Sequence, residues 1–285
     1  MKDKLYQEYG FQINYLTYKK NYIFFENYAN KYMICKTEFD NKTLENLSNI
    51  VNYLDTYAIF FHQIVPNKKG YFFNFGNNNY VVLKLRILTE RKVSLEEILK
   101  LSNISIMIDT RNLMEEKIDF LEKYLANYEN LVLENFNYFV GLAENSITLF
   151  NLKGNHEKKY INHRRLHYNE STIDFYNPLN IVMDYKTRDV AEYAKSLFLV
   201  GDDKTIEFLR FINIDDWYTY FSRILFPSFY FDEIDNYINS NIEMDKKRIS
   251  FLANSFEKKL KELYIYISSR VKMPYIEWLS NVYNF

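Results

Sequence analysis

Apolar positions along the chain change their period near residue 88. Before it, "QINYLTY", "KNYIFFENY" and "KYMICKTE" over residues 11 to 37 alternate or cluster aromatic and β-branched side chains between Asn and Lys breaks, which predicts strands. "NKTLENLSNIVNYLDTYAIF" then places Leu44, Leu47, Ile50, Val51 and Leu54 three or four apart behind Asn41 or Thr43 as a cap, which predicts an amphipathic helix. "HQIVPNKKGYFFNFGNNNYVVLKLRI" returns to strands, with "NKKG" and "GNNN" as turns. From Leu88 onward the period is helical: "SLEEILKLSNISIMI" opens on a Ser-x-x-Glu capping box, "NLMEEKIDFLEKYLANYEN" is amphipathic, and "ENFNYFVGLAENSITLFN" is apolar enough for a core. "STIDFY", the turn "NPLN" and "IVMDY" predict a short hairpin set among helices. "RDVAEYAKSLF", "DDKTIEFLRFI" and the remaining segments read as helix to the end.

This order gives an α+β chain of two lobes: an antiparallel sheet with one helix over 1–87, and a helical lobe over 88–285 that carries a hairpin within 163–185. At 285 residues the chain can bury a full core without staples. The net charge of -1 offers no global field toward nucleic acid or an anionic membrane, and the run "HEKKYINHRR" reads as a solvated basic face, so nucleic acid is not an expected partner. No segment reaches the roughly 20 uncharged residues of a membrane span. The single cysteine, Cys35, reads as a small buried apolar side chain and fits a reducing cytoplasm. The 27 Tyr and 24 Phe follow a composition rich in Asn, Lys and Ile, which mutational bias explains without a stacking ligand. With only 6 Gly, phosphate cradles are scarce.

A small sheet with one helix, followed by a helical lobe with an embedded hairpin, is the element order of the protein-kinase-like fold. His163, Arg164 and Arg165 stand where such a fold has its catalytic loop, and Asp184 lies 19 residues beyond Arg165, close to the interval between loop carboxylate and metal-binding Asp. Through "MDYKTRDVAEYAKS", "FVGLAENSITLF" and the 62–87 stretch, the chain resembles the bacterial spore-coat-associated CotS/YutH-type proteins, relatives of aminoglycoside and choline phosphotransferases.

The resemblance implies a role for each position. Lys36, ending "KYMICK", matches the phosphate-pairing lysine, with Glu45 as its ion-pair partner; a lysine capping a strand in solvent is the alternative. No glycine lies between Phe11 and Lys36, so the glycine-rich phosphate loop is missing. Arg165 takes the place of the acceptor-orienting Asp; a guanidinium has no acceptor and stays protonated, so it cannot do that work. Glu170 takes the place of the metal-binding Asn, and Asp184 is the leading magnesium ligand, with Asp174 of "IDF" as the competing position. Asp189, at a helix start, is expected to brace the backbone of His163 to Arg165. His163 and His167 are four apart, but no Glu or Cys completes a zinc set.

The expectation is a degenerate kinase-like protein, a pseudokinase or a ligand-binding or scaffolding module, with an active small-molecule phosphotransferase and a purely structural assembly protein as alternatives. ATP with magnesium, or no cofactor, follows from these readings, and the partner is an unnamed small molecule or protein.

Overall fold

The computed structural model describes residues 1–19, 21–106, 136–152, 158–240 and 246–280. The amphipathic segment expected over 112–130 lies outside the described residues. Packing divides the chain into two units, one of Met1–Val93 with Asn169–Ile181 and one of Ser94–Tyr168 with Val182–Phe285.

In the first unit, α1 (Lys2–Tyr9) precedes β1 (Thr17–Lys19), β2 (Tyr22–Asn27) and β3 (Asn30–Thr37); α2 (Asn41–Asp55) leads to β4 (Gln63–Val65), β5 (Phe72–Phe75) and β6 (Asn78–Lys84). The sheet runs β1-β2-β3-β6-β4, β5 also pairs with β6, and every pairing is antiparallel. The Ile34↔Val82 register places Tyr32, Ile34 and Val82 on one face, where they pack with Leu5 of α1, Phe11, Phe25 and Phe73. Phe75 pairs with Asn78, leaving Gly76 and Asn77 as a two-residue turn in which Gly76 takes φ 58, a left-handed angle that costs it nothing.

Two expectations are corrected here. "QINYLTY" pairs only at Thr17 and Tyr18, because Phe11 and Leu16 enter the apolar cluster under the sheet. The cap of α2 is Asp40, whose carboxylate accepts the Thr43 N–H at 2.8 Å, one residue earlier than expected.

A third correction concerns "STIDFY", which is not a strand. Ser171 accepts the Asp174 N–H and donates to the Asp174 carboxylate at 2.7 Å, closing a short helix, α5 (Thr172–Phe175), before a 3-10 turn at Pro178–Asn180. This segment packs on the first unit: Tyr176 O accepts the His62 N–H at 2.9 Å and its ring meets Phe61 edge-on.

In the second unit, α3 (Leu95–Ser102) begins with the expected Ser94–Glu97 capping box. β7 (Ser105–Ile106) follows where helix was expected; it is held by pairing with β8 (Lys159–His163), which neighbours β9 (Ile181–Asp184). The strand beside β9 is therefore "KYINH" and not "STIDFY". The helices are α4 (Phe136–Leu152), α6 (Arg188–Phe198), α7 (Trp217–Leu225), α8 (Ser228–Ser240), α9 (Lys246–Ser268) and α10 (Glu277–Ser280). "TIEFLRFI" forms a 3-10 turn at Glu207–Phe211 instead of a full helix. Buried Phe139 stacks on Tyr230 at 3.9 Å, and Phe256, Leu260, Leu263 and Ile267 line the inner face of α9. Among the described residues, no helix is long and apolar enough to cross a membrane.

Candidate functional site

His163 closes β8 with its side chain only 1% exposed, and Asp189, fully buried, sits in the first turn of α6. One Asp189 oxygen accepts the His163 backbone N–H at 2.9 Å and the other meets His163 Nδ1 at 2.7 Å. A carboxylate at a helix start thus holds the end of β8 from two sides.

Asp184 ends β9 and is 3% exposed. Its Oδ1 accepts the Tyr185 N–H at 2.8 Å, and its Oδ2 accepts Arg188 Nη1 at 2.5 Å. Arg188, itself 5% exposed, spends its other nitrogens on the same loop: Nε donates to His163 O at 2.9 Å and Nη2 to Arg164 O at 2.8 Å. A buried guanidinium therefore ties the Asp184 carboxylate to two carbonyls of the His163–Arg165 loop.

Sequence reasoning saw Arg188 only as part of the Arg-Asp pattern. Its signal was the i,i+4 spacing from Asp184, which brings the two together across the turn into α6.

A divalent ion at this place would have to share the Asp184 oxygens with Arg188 and the Tyr185 N–H, and the Arg188 charge opposes its approach. Among the described residues, no group of three or more His, Cys, Asp and Glu side chains could hold a metal. Glu170 belongs to the first unit and its carbonyl accepts the Val93 N–H. Asp174, also in the first unit, gives one oxygen to Tyr22 OH at 2.6 Å and the other to Ser171. His163 is buried on Asp189 while His167 is exposed, so they form no zinc pair.

Lys36 and Glu45 are both exposed, and no ion pair joins them. Strand alternation puts Lys36 on the face of Tyr32 and Ile34, whereas buried Cys35 points the other way, its Sγ 4.0 Å from the Asn177 side chain. Burial pushes the Cys35 thiol well up, which makes it an inert core group.

Arg165, 70% exposed, reaches Asp232 at 3.1 Å. With Arg164 it lines a cavity of about 540 Å³ in the second unit, beside Arg188, Lys195 and Arg223. No pattern in the sequence marked Arg223, a buried cation on α7.

Comparison with known proteins agrees with this architecture. The model of the family described as "Spore coat putative kinase YutH" matches residues 111–266, more than half of the chain. Among solved structures, an aminoglycoside phosphotransferase from Alicyclobacillus acidocaldarius superposes with TM-score 0.59 at 10% identity, covering 90% of this chain and 93% of that one. Spectinomycin phosphotransferase, solved with ADP and spectinomycin, gives 0.54 at 12% identity over 94% of this chain and 96% of its own. A choline/ethanolamine kinase family protein from Mesorhizobium loti gives 0.52 at 11%, covering 90% and 92%. At such identities the likeness establishes the protein-kinase-like fold alone. No curated protein sequence matches the chain.

Proposed function

The chain belongs to the YutH family of spore-coat kinase-like proteins, and from that premise we propose that it has kept the phosphotransferase scaffold without the phosphoryl transfer, serving as a ligand-binding or scaffolding module. The observation that carries this reading is the Asp184 carboxylate, engaged on one oxygen by buried Arg188 and on the other by the Tyr185 N–H. Transfer from ATP relies on metal ions bridging the phosphates and on a carboxylate that orients the acceptor hydroxyl. By its resemblance to the family, this chain offers Arg165 for the second role and an Arg-neutralised Asp184 for the first. Arg165 has no acceptor to offer, and the Asp184 charge is already compensated by Arg188, which weakens its hold on a metal.

The competing reading is an active phosphotransferase using Asp174 or Glu170; against it, the Asp174 carboxylate already holds the Tyr22 and Ser171 hydroxyls. A structural role in spore-coat assembly rests on the family description and is compatible with the loss of turnover.

The test measures melting temperature and ADP release with ATP, with and without magnesium. A ligand that binds the folded state raises the melting temperature by mass action. The reading expects no magnesium-dependent increment and no ADP above the protein-free control. Magnesium-dependent ADP release from purified wild-type protein, lost in Asp184→Asn, overturns it.

A further inference from the structure

The cavity beside the His163–Arg165 loop carries more positive charge than its neighbourhood neutralises. Its lining contains five Lys or Arg side chains against three carboxylates, in a protein whose net charge is only -1. Most of those cations are spoken for. Arg188 is divided between Asp184 and two loop carbonyls, and Arg165 reaches Asp232. Lys195, 3% exposed, donates to the carbonyls of Arg223 and Phe226 and to Ser228 Oγ at 3.0 Å.

Arg223 is different. It is 7% exposed, its Nε pairs with Glu192, and its Nη1 is buried with no hydrogen-bond partner among the described residues. A buried donor without a partner costs free energy that an oxyanion reaching it would recover. Arg164 on the same lining is exposed, and its side chain makes no bond among the described residues.

Guanidinium groups with spare N–H donors match a tetrahedral oxyanion, to which they can donate in pairs. The rest of the lining includes Leu199, Phe226, Phe229, Phe231 and Ile249, which suits an organic body better than a bare ion. We infer that this cavity binds a small organic phosphate monoester, its phosphate received first by exposed Arg164 and then by Arg223, whose buried Nη1 reaches it once that side chain turns toward the cavity, within the field of Arg188 and Lys195. The geometry belongs wholly to the second unit and holds whether or not the chain turns over ATP.

Calorimetry and thermal shift of the full chain test this with phenyl phosphate, inorganic phosphate and citrate, each against sodium chloride of equal ionic strength. Phenyl phosphate should bind and raise the melting temperature, with inorganic phosphate weaker. Arg223→Lys keeps the charge but loses the planar fork that lets one nitrogen hold Glu192 while another reaches the phosphate, and should weaken binding about tenfold or more, the effect of one charged hydrogen bond. Arg164→Gln, on an exposed residue that leaves the core untouched, should weaken it several-fold and lower its salt dependence. No shift beyond the salt control, binding of citrate with neither phosphate probe, or wild-type affinity in Arg164→Gln overturns the inference. ADP release is a separate readout, so a failure here and a failure of the proposed loss of turnover are distinguishable.

Discussion

Arg188 shows what a single buried cation does to a site. Removing it leaves the Asp184 carboxylate desolvated and unpaired, and frees two loop carbonyls. Breaking one side of a buried ion pair costs about 3–5 kcal/mol, because the remaining charge has lost its compensation, whereas replacing both partners by apolar groups is often neutral. Arg188→Leu should therefore lower stability by about 3 kcal/mol in urea unfolding. Arg188→Leu combined with Asp184→Leu should recover a large part of that loss. A double variant as unstable as the sum of two equal single losses would show that the carbonyl contacts, and not the charge pair, dominate. Asp189 obeys the same logic at its own position: it is fully buried, and its two contacts to His163, together with the start of α6, compensate its burial.

At the scale of elements, the segment 169–181 matters most. It is a short helix and a 3-10 turn that cover the first unit through Tyr176, Asn177 and Asp174. Tyr176 is 9% exposed, packs edge-on against Phe61 and Phe175, and its carbonyl receives the His62 N–H. Truncating a buried aromatic removes its transfer free energy and leaves a cavity, so Tyr176→Ala should cost about 3–5 kcal/mol. Tyr18→Ala, on a ring 69% exposed, should stay within about 0.5 kcal/mol. Equal urea midpoints for the two variants would remove the segment from the core.

For the whole molecule, pH tests the cost of burying a base. Burial holds the His62 imidazole down at about 4; the Arg86 cation adds to this, while the Ile173 backbone and Asp174 oppose it. The unfolded chain takes up its proton near 6.5, so between the two values the unfolded state binds more protons than the folded one. The contribution is whole above about pH 6.5 and is lost as pH falls toward 4, by up to about 3 kcal/mol. Urea midpoints measured from pH 7 to 4 should fall more steeply for the wild type than for His62→Gln. Identical slopes would mean that His62 is not buried neutral.

Local pattern determined much of this protein. The strand runs from Tyr22 to Thr37, the stripe Leu44 to Leu54, the Ser94–Glu97 box and the helix Arg188–Phe198 follow from neighbours in sequence, and for the Leu44–Leu54 stripe the spacing also says which face is buried. The expectation that His163, Asp184 and Asp189 share one loop came from resemblance to the family and not from periodicity. What only tertiary structure decided was where carboxylates and guanidinium groups meet. "STIDFY" became a helix because Ser171 and Asp174 satisfy each other and their segment packs with residues more than a hundred positions away. Arg188 became the partner of Asp184, and Arg223 was left with an unmade donor beside a cavity, through contacts that no periodicity records. Hydrophobic burial is read from short repeats, but the charge state of a site depends on which distant groups share its desolvated space.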